Sequence, residues 1–395
     1  MRQLLVATLL TVALSAQGGS YVVDAQQRAG ALFADLPAAI AAVPDGSTLL
    51  VRSGAYANVE IVGKGLTILG EGAVTIGTPS DQGPFLAVRS TTSNQAVLVR
   101  GLRPATPRGV SIIDARGPVT VDGSGIALLL PPGNSPTLTV HGSSQVAFRQ
   151  LTVEGNGAAE IADSVVVFEN CVLRGSAAAF ADGLHGTPGA PAVWASNSHV
   201  QLVHTPTLGG NGAASGDNLL AGSPAVLLAT SSLRVLGFAV HPLAGGTDPT
   251  KGALPAVAGV GIARIAPTIA VADSMVDPGV LLTRPQMPSL TSTTCSVGGM
   301  LTATRHGAAG TLCAIAISVR GPAKAMPTLA DPVWVRDTTF LIEALGRASA
   351  TGVFTVQKSV PPDPVLRGYQ VVWQAADLGP SGLLAVSNPS PCFVY

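Results

Sequence analysis

Five segments of the chain share one pattern, in which a serine is followed by alternating apolar positions. They begin at Ser124, Ser144, Ser164, Ser198 and Ser231, at intervals of 20 residues at first and of 34 and 33 residues later. Alternation with a period of two predicts strands, because successive side chains of a strand point to opposite faces. No helical periodicity fills the gaps between the segments. The connections are therefore predicted to be short strands and turns.

A recurrence of about twenty residues with variable insertions is typical of a solenoid, and strands of this spacing predict a parallel β-helix. The five serines are expected at the turns that enter the strands, where a hydroxyl bonds neighbouring backbone. One predicted inward column is Ile126, Val146, Val166, Val200 and Leu233, and the column beside it is Leu128, Phe148, Phe168, Leu202 and Val235. The hypothesis requires Val146, Val166 and Val200 to lie in register inside one tube.

Two further columns are predicted to face outward. They are Ala127, Ala147, Val167, Gln201 and Arg234, and Leu129, Arg149, Glu169, Val203 and Leu236. Arg149 and Glu169 are neighbours in the second column, and we interpret them as a surface ion pair. Neither column offers the paired carboxylates that inverting glycoside hydrolysis requires.

The N-terminal part predicts a helix that covers the open end of the solenoid. Within 32–43, Leu36, Ile40 and Val43 have helical spacing, and Pro44 begins a Pro-Asp-Gly segment that ends the pattern. Short strands are predicted after it at 48–52, 58–62, 66–69 and 74–76.

One continuous segment carries a resemblance to a known family. The segment 36–56 reads LPAAIAAVPDGSTLLVRSGAY and is followed by VEI at 59–61 and LTILG at 66–70. It resembles the opening of pectin-lyase-like right-handed β-helix proteins. The resemblance extends to about residue 275 and implies a right-handed parallel β-helix whose first coil is capped by the helix.

The activity that this resemblance implies is open, because the superfamily includes polysaccharide lyases, polygalacturonases, pectin methylesterases and members without known chemistry. Gly54-Ala55-Tyr56 resembles the start of an esterase motif, but the later paired aspartates have no match. Asp182-Gly-Leu-His-Gly186 resembles part of a polygalacturonase site, but the Asn-Thr-Asp and Arg-Ile-Lys elements are missing. We therefore expect a non-catalytic or uncharacterised exported bacterial member.

The repeats fade after about residue 275, which predicts a β-helix domain at 21–275 and a linker at 276–288 that holds Pro278, Pro285 and Pro288. Beyond it, alternating segments separated by turn residues predict a small antiparallel β-sandwich domain at 289–395. These segments are 300–304, 314–319, 340–344, 353–357 and 369–375.

The N-terminus predicts export. Arg2, the apolar run 4–14 and the small residues that follow have the pattern of a signal peptide, assigned to 1–18, so the expected location is secreted, periplasmic or at the cell surface. Four cysteines suit an oxidising compartment. Three of them, Cys295, Cys313 and Cys392, predict one disulfide in the C-terminal domain, with its connectivity left open.

Composition narrows the class of partner. Hydrophobic residues make up 47% and charged residues 11%, which excludes intrinsic disorder. Basic and acidic residues number 22 each, so nucleic acid is not expected as a partner. No transmembrane anchor is predicted. The six histidines form no metal-ligand pair, and we expect no metal and no cofactor, since Ca²⁺ would need several convergent oxygen ligands.

The longer repeats carry the candidate site. Insertions in a solenoid tend to emerge on one face, often the binding face. They hold the predicted ligand-binding residues Asp182, His185, Asn211, Asp217 and His241. The competing interpretation is that these insertions are solvated glycine-rich turns. No catalytic residue is assigned.

We therefore expect an exported β-helix protein that acts as a surface binding or structural module, with a polysaccharide or cell-surface glycan as its candidate ligand, bound by the stacked loops. The absence of catalytic pairs favours this role over an enzyme. The alternative is a polysaccharide lyase or glycoside hydrolase that acts on an acidic polysaccharide through Asp182, His185 and Asp217.

Overall fold

The computed structural model describes residues 18–78, 80–81, 83–129, 136–180, 186–215, 218–237, 242–324, 333–335, 341–378 and 384–395. The predicted signal peptide lies outside these residues apart from Gly18. No helix in the described part of the chain is long and apolar enough to cross a membrane.

The described residues between 20 and 283 form a parallel β-helix, as the repeats predict. We call its three faces A, B and C. Face A contains Val59–Val62, Leu86–Arg89, Val110–Ile113, Leu138–His141, Ala159–Ala162 and Val193–Ser196. Face B contains Ser20–Val23, Val165–Glu169, His199–Val203 and Val280–Thr283, and face C contains Val172–Gly175, Thr207–Leu208 and Leu243–Ala244.

The longer strands turn a corner and serve two faces. Ser47–Tyr56, Leu66–Ile76, Val97–Pro104, Val119–Leu129 and Val146–Gly155 run from face B to face C. Val226–Leu236 and Val257–Ile265 run from face A to face B. Neighbouring coils pair in parallel, so each coil satisfies the backbone groups of the next and buries the apolar side chains that a lone coil would expose.

The predicted inward columns are confirmed from Val146 onward. Val146 pairs with Val166, Val166 with Val200, and Val200 with Leu233. All four side chains are buried in one core. In the column beside them, the rings of Phe148 and Phe168 stack with their centroids 5.3 Å apart.

The predicted position of Ile126 is wrong, because this residue lies on face C and not in the column of Val146 on face B. Val119 is the residue that pairs with Val146, whereas Ile126 pairs with Leu151 on face C. Faces B and C are both apolar on their inner side and alternate in the same way. The pattern therefore identifies an inward residue without identifying its face.

The N-terminal helix spans Leu36–Ala42 and buries Leu36, Ala39 and Ile40 against the core of the β-helix. Pro37 suits the first turn of a helix because its missing N–H has no partner there in any case. The helix ends at Ala42, and the next residue, Val43, has an extended backbone before Pro44. Its capping role stays a prediction.

The parallel strands continue into the segment predicted as a linker, since Val280–Thr283 pairs with Val257–Ile265. Beyond it the strands are antiparallel and form two sheets that share one hydrophobic cluster. One sheet contains Ser289–Ser292, Met300–His306 and Val353–Ser359. The other contains Leu312–Lys324, Val333–Val335, Leu341–Arg347, Gln370–Leu378, Leu384–Val386 and Ser390–Phe393. We call residues 289–395 the C-terminal region.

The C-terminal region covers much of the outer side of face B. Val167, Val203 and Leu236, which the sequence predicts to face outward, pack against Trp334 and Val372. The side chains of these columns thus face outward, but the C-terminal region covers them. A second contact, in which Phe393 packs on Leu69 and Leu98, extends the covered area towards the N-terminal coils.

All four cysteines, Cys171, Cys295, Cys313 and Cys392, are buried free thiols. The predicted disulfide is therefore wrong. Each thiol is buried in a strand or beside one, where cysteine serves as a small side chain without a cross-link.

Candidate functional site

The corner between faces A and B is built from a repeated pair of residues. The first member has a left-handed backbone, with φ of +57° at Gly142, +50° at Asp163, +47° at Asn197 and +52° at Thr230. Glycine, asparagine and aspartate tolerate this conformation, but a β-branched residue rarely adopts it. Thr230 is thus held there by its surroundings, and its hydroxyl donates to Oδ1 of Asn197 on the preceding coil.

The second member of each pair is a serine, and these serines form a buried ladder along the corner. The Oγ of Ser164, Ser198 and Ser231 accepts the backbone N–H of the equivalent serine one coil earlier, at 3.0 to 3.1 Å. Each of these hydroxyls also donates to the carbonyl two residues before it. The predicted structural role is correct for these three serines.

Two serines of the predicted column are misplaced. Ser143 takes the position on the ladder that was assigned to Ser144, and its Oγ accepts the N–H of Ala115 at 3.1 Å. Ser144 is partly exposed beside the ladder. Ser124 lies in the strand Val119–Leu129, whose pairing places Ile126 on face C.

Outside this ladder, a shallow groove follows the same corner and has a volume of about 850 Å³. Its lining includes the polar residues Ser144, Asp163, Asn197, Thr230 and Ser232 and the apolar residues Val260, Ile262 and Leu281. We call it the corner groove. Among the described residues that line it, Asp163 is the only acidic or basic side chain apart from His199.

His199 lies in the corner groove between two polar neighbours. Its Nδ1 is 2.6 Å from Oγ of Ser232 on the following coil, and its Nε2 is 3.0 Å from Nε2 of Gln201. His199 and Ser232 are also register partners, so their contact belongs to the stacked column that continues to Ile262 and Leu281. These contacts hold the imidazole in one orientation in the lining of the groove.

Face A adjoins the corner groove and presents a large aromatic side chain. Trp194 is 47% exposed, and its register partners are Glu160 on the preceding coil and Leu227 on the following one. Sequence reasoning missed this residue. The signal was available, since Trp194 stands between the small apolar residues Val193 and Ala195, an alternation that places it on the outward side of the strand.

The insertions form short antiparallel hairpins, one after another along the face C to face A connection. Their strand pairs are Ala179–Phe180 with Gly186–Thr187, Ala213–Ser215 with Asn218–Leu220, and Thr247–Asp248 with Gly252–Ala253. Backbone hydrogen bonds join the hairpin bases, as from Ala178 N to the carbonyl of Asn211. The insertions therefore emerge on one side, as solenoid insertions are expected to do.

The structure locates one of the five predicted ligand-binding residues. Asn211 lies at the base of the second hairpin, where its Oδ1 accepts the N–H of Thr247 from the next insertion at 2.9 Å. Asp182, His185, Asp217 and His241 lie outside the described residues. Their predicted role and that of Asn211 stay predictions.

Other candidate chemistry of the sequence is structural. Tyr56, from the segment that resembles an esterase motif, is buried and its hydroxyl donates to the carbonyl of Arg52 at 2.8 Å. Burial raises its pKa above the usual value for tyrosine. No group of three or more His, Cys, Asp or Glu side chains in the described ranges is placed to hold a metal ion.

Comparison with known proteins adds little. No family model matches the chain, and no curated protein matches it. The enzymatically active domain of tailspike protein 2 from bacteriophage CBA120 is a similar solved structure, with 12% identity, a TM-score of 0.25 and coverage of 88% of this chain and 66% of the tailspike chain. Full-length tailspike protein 2 from the Escherichia coli O157:H7 bacteriophage CAB120 has 12% identity, a TM-score of 0.25 and coverage of 85% and 64%. The chain thus spans about two thirds of these chains, and a likeness of this size carries no information about function.

Proposed function

We propose that the protein binds a glycan chain that lies along the corner groove, parallel to the axis of the β-helix. Successive coils are about 4.8 Å apart, which is comparable with the length of one sugar unit in a polysaccharide. The observation that carries the proposal is the repeat of one polar side chain per coil, at Asp163, Asn197 and Thr230, in the same backbone conformation. Equivalent groups can thus meet successive sugar units.

The chemistry of the corner groove favours a neutral glycan. Hydroxyl and amide groups donate to and accept from sugar hydroxyls, and the aliphatic side chains of Val260, Ile262 and Leu281 suit the C–H faces of sugar rings. Asp163 would repel the carboxylates of an acidic polysaccharide, and no lysine or arginine among the described lining residues would offset that repulsion.

A binding role fits this groove better than hydrolysis. Both stereochemical routes of glycoside hydrolysis use a pair of carboxylates. Asp163 is the single carboxylate among the described residues that line the groove. The alternative enzyme, which relies on Asp182, His185 and Asp217, stays a prediction, and the proposal involves no cofactor.

The experiment compares two corner variants on a panel of neutral and uronate glycans. The double variant Asp163→Gly/Asn197→Gly removes two groove side chains and keeps both corners, because glycine adopts positive φ without strain. Asp114→Gly is the matched control, since Asp114 has φ of +53° at the same corner but does not line the groove. We expect the double variant to bind neutral glycans at least tenfold more weakly than the control. Equal affinity, or binding of uronate glycans alone, would overturn the proposal.

We further propose that the protein is an exported bacterial member of the pectin-lyase-like superfamily that acts at or beyond the cell surface. The support is the segment 36–56, which folds as a short helix followed by the first long strand of a parallel β-helix. Mass spectrometry of secreted protein tests the cleavage expected after residue 18. A mature chain that still carries Arg2 would contradict export by this route.

A further inference from the structure

Trp194 differs from the other two tryptophans of the chain. Trp334 and Trp373 are fully buried, whereas 47% of Trp194 is exposed on the outer side of face A. An exposed tryptophan leaves a large apolar area in water unless something covers it. The indole of Trp194 is therefore available to a ligand.

The surroundings of Trp194 combine a flat floor with a polar border. In the neighbouring outward column, the three positions nearest the indole are the small residues Ala162, Ser196 and Ala229, and the column continues to His141 on one side and to Val260 on the other. Glu160 is its register partner on the preceding coil, and its Oε1 lies 3.5 Å from Nε2 of His141. Glu160 is partly exposed on the coil next to Trp194, so its carboxylate can reach a ligand that covers the indole, and His141 on the coil before it contacts that carboxylate.

We propose that Trp194 is a sugar-binding subsite, in which the indole stacks on the C–H face of a neutral pyranose, Glu160 binds its hydroxyl groups and His141 positions the carboxylate of Glu160. This inference rests on the proposed function and names its ligand class. A carboxylate accepts strong hydrogen bonds from hydroxyl groups and repels a uronate, which selects neutral sugars. Stacking on the C–H face of a sugar does not require a charged ligand. Tryptophan offers the largest apolar face for this contact.

The subsite adjoins the corner groove. Trp194 is three residues before Asn197 along the chain, a distance of about 10 Å at the rise of a strand. A glycan that contacts Asn197 in the groove can therefore place a neighbouring sugar or a branch on Trp194. The two surfaces then form one continuous binding site across faces A and B.

Quenching of tryptophan fluorescence by acrylamide tests this subsite directly. Trp194 is the accessible indole, so quenching of the native protein reports mainly on it. We expect a neutral oligosaccharide from the panel to reduce the quenching constant to below about half its value in free protein. The uronate oligosaccharide of the same length should leave quenching unchanged.

Two variants separate this inference from the proposed function. Trp194→Ala should weaken binding of the neutral oligosaccharide roughly tenfold, and Trp194→Phe should restore part of it. Leu129→Ala is the control, because Leu129 is equally exposed on face C. If Trp194→Ala binds normally while Asp163→Gly/Asn197→Gly does not, the subsite is refuted and the groove stands. If the parent protein binds no glycan and Trp194 is not protected from acrylamide, the subsite and the proposed glycan binding in the corner groove are both refuted.

Discussion

Arg149 and Glu169 lie opposite each other on adjacent coils of face B, with Nη2 of Arg149 3.4 Å from Oε1 of Glu169. Their side chains are 2% and 1% exposed, so this is a buried pair and not the surface pair that the sequence predicts. Arg149 also donates to the carbonyl of Ser292 at 2.7 Å, and Ser390 donates to the carboxylate of Glu169. The pair thus joins the β-helix to the C-terminal region. Burial raises the pKa of Glu169, and the charge of Arg149 offsets part of that rise.

Removal of one partner of this pair should destabilise the protein strongly. Arg149→Met leaves the carboxylate of Glu169 buried without its cation, and we expect a loss of about 3 kcal/mol in the free energy of unfolding. The double variant Arg149→Met/Glu169→Leu should recover most of that loss, because both charges are gone. Urea denaturation measures each value.

The matched control for the buried pair is Arg89→Met. Arg89 and Glu60 are also 3.4 Å apart, but both side chains are about half exposed. Its loss should be below about 1 kcal/mol. An equal cost for Arg149→Met and Arg89→Met would show that the C-terminal region does not cover face B as described.

Asp24 should make stability depend on acid pH. Its carboxylate accepts hydrogen bonds from Arg28 Nε at 2.7 Å, from Gln26 N and from Arg52 Nη1. The bond from Arg28 is the main cause that lowers the pKa of Asp24 well below its usual range, against the opposing effect of burial. The folded chain therefore stays ionised where the unfolded chain takes up a proton, so this contribution is present above pH 3.8 and is lost as the pH falls further.

We accordingly expect Asp24→Asn to be less stable than the parent at pH 7 and to approach it below pH 3.8. Thermal unfolding over this pH range measures the difference. Asp35→Asn serves as the control, since Asp35 makes no capping hydrogen bond through its side chain. A gap between Asp24→Asn and the parent that stays constant with pH would contradict the assignment.

The serine ladder should be more sensitive to substitution than the groove beside it. Ser164→Ala leaves the buried N–H of Ser143 without its acceptor, which should cost about 1 to 3 kcal/mol. Ser144→Ala removes a partly exposed hydroxyl that donates to the carbonyl of Arg116, and it should cost less than about 1 kcal/mol. Guanidinium denaturation of both variants measures the two losses. If Ser144→Ala cost more than Ser164→Ala, Ser144 and not Ser143 would be the ladder residue of its coil.

The cysteines should behave as four free and protected thiols. Burial raises the pKa of Cys171 and Cys392 to about 12, so neither is a thiolate at neutral pH. Reaction with Ellman's reagent should be slow in native protein, and it should reveal four thiols in guanidinium without a reductant. Two missing thiols in the denatured protein would restore the predicted disulfide.

The core of the β-helix could be predicted from sequence because its apolar positions alternate within each strand and recur in every coil. Val146, Val166 and Val200 recur with alternating neighbours, and each must meet its counterpart on the next coil. The prediction for Ile126 is wrong because an inward position on face C has the same sequence pattern as one on face B.

The covered surface could not be predicted in the same way. The pattern identifies Arg149 and Glu169 as outward residues, but burial of that side depends on strands more than a hundred residues away, near Ser292 and Ser390. To predict the corner groove, one would have to know that Asp163 and Asn197 have a left-handed backbone. The sequence shows them only as a polar residue before each serine.

The insertion hairpins all leave the β-helix at one of its three corners, between faces C and A. One shorter coil crosses the same corner through residues 156–158 alone. Connections of very different lengths are thus accommodated at this corner, and the adjacent strands still stack. The same corner should accept a grafted peptide epitope, and several coils could then display copies of it in a row.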